Sequence, residues 1–382
     1  MSMNTENYPE LERNEYTEFI FGETCLEDPT DPQSAEALTS WIERAVELDA
    51  RPVFLEGVCE RLNQLGISCT AEDTDIMLAE IRRRYKECLG FPCPRTVQEW
   101  IKGSMPGFTS IKNNYDLCYA LEMDFNQTAI FFHKHYLSMP FNAKAKVDAV
   151  FLYCLYHHKP YSVVAELLEK SNGFVSQEKA HTSTAQIKAA IFDTDDDEQF
   201  LRYLSEHCYD NEQQFQTARA LVNEEINKLK EKIRLESSSE NNRLNSMTIA
   251  AMLGYKYQLR NKDGMESVLP KRFTDSLPKD VTLGQIIRGE KVSYEVLRKY
   301  LVLLKFCNYY RDAEKADKSR STAINKYEVN SRLMDFYGEL NRALNQCGFS
   351  LIYPLHPFDC LVLYCANTFD PILSMHLLNE RN

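Results

Sequence analysis

Hydrophobic residues recur at helical spacing along nearly the whole chain, and this periodicity constrains the fold more than any other feature. Ala35–Leu48 is one example, because Trp41, Ala45 and Leu48 fall on one side of a helix. Alternating apolar and polar runs, which indicate half-buried strands, are scarce. The 382 residues include only 13 Gly and 14 Pro, few for a β-rich chain of this size. The sequence therefore predicts an all-α fold.

The composition is that of a globular protein, and the length allows two or three domains. Hydrophobic residues make up 44% of the chain and charged residues 26%. No apolar run reaches the ~18 residues that a membrane span needs, and the acidic stretch Met1–Glu18 does not read as a signal peptide. We therefore expect a cytoplasmic protein without a membrane partner. Its twelve scattered cysteines, with no Cys-x-x-Cys, are expected to be reduced thiols.

Two polar segments interrupt the helical pattern and predict the domain boundaries. Lys170–Glu198 and Ser237–Arg243 contain too few apolar residues to order themselves strongly. Between them, Phe200–Leu235 is expected to be one long charged helix. The predicted order is an acidic N-terminal helical segment over residues 1–70, a helical domain over 71–170, a linker and long charged helix over 171–243, and a second helical domain over 244–382.

The two helical domains contain a repeated octet. Thr96–Gly103 reads TVQEWIKG and Thr282–Gly289 reads TLGQIIRG, and the two align without a gap. In the helices that follow, Tyr115 aligns with Tyr300. Further on, residues 140–142 (PFN) precede AVFLYC, and residues 357–359 (PFD) lead into CLVLYC. Chance similarity among amphipathic helices is the alternative, but the ordered matches favour an internal duplication with two helical units.

Each octet has the pattern of a short helix that is buried on one side and ends at a glycine. In the first copy, Val97 and Trp100 share one face, so we expect Trp100 to lie in the core. Gly103 stands where a left-handed residue ends a helix, and Gly90 allows a tight turn before the octet. The other face carries the hydrogen-bonding residues Arg95, Gln98, Glu99 and Lys102.

Residues 82–121 resemble the lambda-repressor-like (XRE-type) helix-turn-helix family, and residues 271–311 carry a weaker second copy. In that family the third helix reads roughly T-I-x-x-W-x-x-G, and a helix ending in Ala-Leu follows. This chain matches at Thr96-Val97, Trp100, Gly103 and Ala120-Leu121. The resemblance implies that both domains contain helix-turn-helix-like units and that Pro94–Lys102 is a recognition helix.

The chain also departs from the family pattern. RRRYKECLG replaces the usual Ala-x-x-x-Gly of the second helix, and the segment after Gly103 is longer than in the family. The second copy has Ile286 at the Trp position and Gly284 inside its helix, where glycine costs about 1 kcal/mol of helix stability. We therefore assign base contacts to the first copy only.

The resemblance implies a sequence-specific DNA-binding transcriptional regulator, without enzyme activity, whose partner is double-stranded DNA. Two basic islands favour this function in a chain of net charge −12, because residues 82–121 carry +4 and residues 271–311 carry +5. The side chains expected nearest the bases are Arg95, Thr96, Gln98 and Glu99. Those expected to pair with phosphates are Arg82, Arg83, Arg84, Lys86, Lys102 and Lys112.

A non-enzymatic helical adaptor, in a defence or stress-signalling system, is the alternative function. The same helical units would then bind a protein through a surface rich in the 21 Tyr and 20 Phe residues of the chain. We also consider that the chain forms a homodimer.

Catalytic and metal chemistry find little support in the sequence. His133 and His135 are two residues apart and point to different faces of a helix, which makes a poor chelate. Cys93 lies beside Arg95 at a helix start, where its pKa is expected to fall, but no His–Asp pattern accompanies it. No glycine-rich phosphate loop occurs. We expect no catalytic residue, no cofactor and no metal.

Overall fold

The computed structural model describes most of the chain as helices joined by short connections. The described residues are 29, 40–41, 43, 53–104, 106, 111–136, 140–172, 184–208, 211–236, 247–253, 271–319, 322–347, 349, 351–352 and 356–380. No β-strand occurs in these ranges, which confirms the all-α prediction. Across the same residues no helix is long and apolar enough to cross a membrane. The acidic segment and the helix predicted over Ala35–Leu48 lie largely outside them.

The chain divides into two compact units. Among the described residues, the first unit holds 53–214 and the second holds 29, 40–41, 43 and 215–380, and the ring of Trp41 stacks on Tyr364 at 4.5 Å. The helices of the first unit are α1 (Val53–Gln64), α2 (Thr74–Arg84), α3 (Arg95–Ile101), α4 (Ile111–Ala120), α5 (Phe125–Phe131), α6 (Lys146–Tyr156), α7 (Tyr161–Ser171), α8 (Thr184–Asp193) and α9 (Asp197–His207).

Two of these helices continue as a π-helical turn. Tyr85–Leu89 extends α2, and Phe132–Tyr136 extends α5. Each segment places aromatic side chains in the interior, where Tyr85, Phe132 and Tyr136 are buried. The wider turn therefore keeps large aromatic side chains directed into the core of the first unit.

An aromatic stack around Tyr115 forms the centre of the first unit. The ring of Tyr115 lies 4.6 Å from both Phe132 and Phe151, and its hydroxyl donates to Asp148 at 2.8 Å. This contact joins α4, α6 and the extension of α5. Helix α1 packs close to the same extension, because a Cβ on Gly57 would lie 2.2 Å from the ring of His135.

The remaining helices of the described residues belong to the second unit. They are α10 (Asn211–Glu236), which begins just before the unit boundary, α11 (Ile249–Met252), α12 (Lys271–Ser276), α13 (Asp280–Ile287), α14 (Tyr294–Lys318), α15 (Lys326–Gln346), α16 (Pro357–Ala366) and α17 (Pro371–Glu380). Helix α14 is central, because α15, α16 and α17 all pack against it. Helix α10 joins α14 through buried Glu225, which accepts from Lys305 at 2.9 Å and Asn308 at 2.8 Å.

The segment predicted as one helix over Phe200–Leu235 is two helices, α9 and α10. The backbone of Cys208 is extended, which ends α9, and its buried thiol donates to the Ala143 carbonyl at 3.1 Å. Phe200 stacks on Tyr153 at 4.0 Å, so the core of the first unit holds α9 in place. The segment predicted as a linker over Lys170–Glu198 also contains helix α8.

The repeated octets fold alike in the two units. Gly103 lies two residues after the end of α3, with φ of 102°, and Gly289 lies two residues after the end of α13, with φ of 77°. In each copy the glycine N–H donates to a carbonyl three residues back and the next N–H donates to one five residues back, at 2.9–3.0 Å. This is the Schellman motif, in which a left-handed residue satisfies the last carbonyls of a helix. The two octets therefore end in the same backbone motif.

Residues 140–142 and 357–359 stand at different places relative to the helices that follow them. Phe141 has φ of 59° and lies before α6, whereas Phe358 lies in the first turn of α16. A left-handed residue at Phe141 cannot continue a helix, so α6 begins later. When α6 and α7 are aligned with α16 and α17, Asp148 matches Asp359 and Pro160 matches Pro371.

Candidate nucleic-acid interface

Helices α2 and α3 follow each other in the first unit and are joined by a short turn. Helix α2 and its extension end at Leu89, and Gly90 follows in the left-handed conformation, with φ of 80°. Pro94 precedes the first residue of α3, where a proline restricts the backbone without removing a helical hydrogen bond. Helix α2 packs against α3. The predicted recognition helix, Pro94–Lys102, is α3 within one residue at each end.

One face of α3 packs against the core of the first unit. Val97, Trp100 and Ile101 are all buried, which confirms the prediction for Trp100. Trp100 meets Phe54 at 6.2 Å and Tyr136 at 6.5 Å between ring centroids, both edge to face. Because this face is covered, the other residues of α3 lie at the surface. Arg95, Thr96 and Lys102 are exposed, and Gln98 and Glu99 are half-buried.

A side-chain contact joins the end of α2 to α3. The guanidinium of Arg82 donates to Oε1 of Gln98 from Nη2 at 2.5 Å and from Nε at 3.2 Å. The Nε2 atom of Gln98 donates to the carbonyl of Cys93 at 2.8 Å. Arg82 itself is exposed. The structure therefore brings a predicted phosphate-binding residue and a predicted base-reading residue into direct contact.

Two of the three consecutive arginines have acidic partners. Arg83 donates from Nε to Glu80 at 2.9 Å and also pairs with Glu87. The hydrogen bond from Arg83 holds the pKa of Glu80 below its usual value. Arg84 is 6% exposed and pairs with Glu80 at 2.8 Å and Glu122 at 2.6 Å. In this arrangement Arg84 is not accessible to a phosphate, and the charge of Arg83 is compensated.

Lys112 supports the turn from the start of α4. Its Nζ lies 2.8 Å from Asp116, donates to the Tyr161 hydroxyl at 2.8 Å and sits 5.4 Å from the ring centroid of Phe91 in the turn. Asp116 is buried, and burial raises the pKa of its carboxyl while Lys112 opposes that shift. Lys112 therefore ties the turn to α4 and α7, and its charge is largely neutralised.

The remaining basic candidates are at the surface. Lys86 is exposed on the extension of α2. Lys102 is exposed and lies 3.1 Å from Glu99 on the same helix. The exposed candidate residues around α3 that are not held in buried ion pairs are thus Arg82, Arg83, Lys86, Arg95, Thr96 and Lys102.

The expectation for Cys93 is wrong. Burial raises the pKa of its thiol to about 11, although the charge of Arg82 acts in the opposite direction. Cys93 is 6% exposed at the end of the turn, so the loss of hydration outweighs a neighbouring cation. Every cysteine in the described ranges is a free thiol.

The histidines that suggested a metal site have structural contacts instead. His135 pairs through Nδ1 with the Val53 carbonyl at 2.9 Å, and His157 through Nε2 with the Ile191 carbonyl at 3.0 Å. Burial lowers the pKa of His133 to about 4. Over the part of the chain that the structure describes, no three His, Cys, Asp or Glu side chains are grouped so that they could hold a metal ion.

The second copy presents different side chains at the equivalent positions. Val281, 75% exposed, takes the place of Arg95, and Gly284 takes the place of Gln98. Arg288, at the position of Lys102, pairs with Glu290 at 2.6 Å. Leu283 and Ile286 are buried, so α13 is held like α3 but lacks the polar groups that α3 exposes.

The acidic partners of the basic residues were not identified from the sequence. Glu80 could have been found, because it lies three and four residues before Arg83 and Arg84 on one helix. Glu122 is distant in sequence from Arg84 and only the fold brings them together. Comparisons of the chain with known protein families, with curated proteins and with solved structures found no match.

Proposed function

We propose that this chain is a sequence-specific DNA-binding transcriptional regulator and that α3 of the first unit enters the major groove. The observation that carries the proposal is the orientation of α3. Its apolar side is anchored by buried Trp100, while Arg95 and Thr96 at its first turn are exposed. Recognition helices of helix-turn-helix proteins contact base edges with their N-terminal residues.

Phosphate contacts would come from the exposed basic residues around this helix. Arg82 and Lys86 lie on α2 and its extension, and Lys102 follows the last turn of α3. Such contacts fix the position of a protein on the duplex and carry no sequence information directly. Arg84 and Lys112 are assigned to the support of the helix pair, because their charges are engaged by Glu80 and Asp116.

A selection from random duplexes tests the proposal. The full chain is incubated with the library at two salt concentrations, and bound DNA is sequenced. We expect an enriched motif and weaker binding at the higher salt concentration. The double variant Arg95→Ala, Lys102→Ala should lose the motif. The control Arg234→Ala, Lys318→Ala removes the same charge from exposed residues of α10 and α14 and should retain it.

Binding of a protein to the same face is the second candidate function. It is favoured by the internal pairing of Arg83, Arg84 and Lys112 with acidic residues, which reduces the positive charge available to phosphates. Ile76, 47% exposed on α2, adds an apolar group near this region of the helix. A selection that yields no motif and no salt-dependent binding would favour this candidate.

A further inference from the structure

The amide of Gln98 is engaged at both ends within the protein. Its Oε1 accepts two hydrogen bonds from Arg82, and its Nε2 donates to the Cys93 carbonyl at 2.8 Å. A glutamine that reads adenine uses the same two ends, the oxygen as acceptor and the nitrogen as donor. Because both lone pairs of the oxygen accept from Arg82, whereas Nε2 keeps a second N–H, reading adenine would require Gln98 to give up a hydrogen bond from Arg82 on α2.

Arg82 keeps hydrogen-bonding capacity beyond this contact. It gives Nε and one Nη2 hydrogen to Gln98, and a guanidinium carries further N–H groups on Nη1 and Nη2. The side chain is exposed, and the planar group is fixed on one edge by Gln98. An arginine held in this way has lost part of its side-chain freedom before any ligand binds, which lowers the entropy cost of a further contact.

We propose that Gln98 is a positioning residue, which orients Arg82 toward a DNA phosphate, and that it does not read a base. This inference rests on the proposed DNA-binding function and changes the role that the family resemblance implies for Gln98. The contact with Cys93 also fixes the amide relative to the turn, so the orientation of Arg82 depends on the whole α2-turn-α3 arrangement. In the second unit the equivalent residue is Gly284, which has no side chain for this purpose.

A double-mutant cycle on the selected duplex tests the assignment. The full-length wild type is compared with Gln98→Ala, Arg82→Ala and the double variant by fluorescence anisotropy at several salt concentrations. Gln98→Ala should weaken binding up to roughly tenfold on every sequence and reduce the salt slope by about one unit or less. The double variant should bind no more weakly than Arg82→Ala alone, because Gln98 acts through Arg82.

Sequence preference separates positioning from base reading. Repeating the selection with Gln98→Ala should return the wild-type motif. Thr96→Ala, a neighbouring exposed position on α3, is the matched control and should alter the motif at one base pair or more. A changed motif for Gln98→Ala, or additive losses in the cycle, would overturn the inference while leaving DNA binding intact. A wild type that binds no duplex would overturn the proposed function and this inference together.

Discussion

Asp148 and Asp359 occupy equivalent positions in the two units but have different partners. Each is buried in the first turn of a helix that continues into Leu-Tyr-Cys. Asp148 accepts from the Tyr115 hydroxyl at 2.8 Å, whereas Asp359 accepts from Arg298 at 2.9 Å and 2.5 Å. Tyr115 and Arg298 lie on equivalent helices, α4 and α14. The two buried carboxyls therefore sit in helices of similar sequence but make different polar contacts.

Replacement of Asp359 should destabilise the second unit strongly. Asp359→Asn would leave the guanidinium of Arg298, 5% exposed, without its counter-ion. Breaking a buried ion pair in this way typically costs about 3–5 kcal/mol of unfolding free energy. Urea unfolding followed by circular dichroism measures the change. Asp148→Asn is the matched control, because Tyr115 is neutral, and should cost less; equal costs would contradict the different roles of the two carboxyls.

The stability of the first unit should depend on the titration of Asp148. Burial raises the pKa of this carboxyl to about 6 from an ordinary value of 3.8. Between these values the folded chain binds more protons than the unfolded chain, so this contribution to stability is lost as the pH rises from 3.8 to about 6. The stability difference between wild type and Asp148→Asn should change over that range, and a constant difference would contradict the assignment.

His133 should contribute a pH dependence of the opposite sign. Burial lowers its pKa to about 4 from 6.5, so the unfolded chain binds more protons between these values. Stability from this residue is therefore present above pH 6.5 and lost as the pH falls toward 4. Comparing His133→Leu with the wild type over the same range isolates the effect. The variant should show a smaller loss of stability on acidification; an equal loss would assign it to other groups.

The sequence predicted the helices well where their stability comes from local pattern. The octet helix was identified because apolar spacing, prolines and glycines act over a few residues. The break at Cys208 was missed because it depends on a contact with Ala143, which is distant in the chain. The left-handed conformation of Phe141 was also missed, because it is unusual for a non-glycine residue.

Substitution of Gly103 should destabilise the first unit through its backbone. Its φ of 102° is unfavourable for a residue with a Cβ, so Gly103→Ala should cost about 1 kcal/mol or more. Gly338→Ala is the control, because that glycine lies within α15 with open space around it and should gain about 0.5–1 kcal/mol. Thermal unfolding of both variants checks the opposite signs. Destabilisation by Gly338→Ala would contradict this interpretation.

Replacement of Trp100 should destabilise the packing that anchors α3 to the core of the first unit. The side chain is 2% exposed and contacts Phe54 and Tyr136, so Trp100→Ala should cost about 3–5 kcal/mol. Denaturant unfolding followed by circular dichroism measures the loss. Thr96→Ala, exposed on the same helix, should change stability by no more than about 0.5 kcal/mol. A small effect of Trp100→Ala would contradict the anchoring of α3.

The candidate site was only partly predictable from the sequence. Spacing was sufficient to place Trp100 inside and Arg95 outside, because a helix fixes which residues share a face. It was insufficient for Arg84, whose burial depends on Glu122 from another element. A charged residue in a basic run is exposed or paired according to the tertiary contacts around it, and these cannot be read from composition.

The central claim is tested most directly by comparing two affinities of the chain, one for a selected duplex and one for a scrambled duplex of the same length and composition. The full chain is titrated against both by fluorescence anisotropy at two salt concentrations. The account predicts that the selected duplex binds roughly 10³-fold or more tightly than the scrambled one and that both affinities fall as salt increases. Equal affinity for the two duplexes, or no binding to either, would contradict the assignment of α3 as a recognition helix.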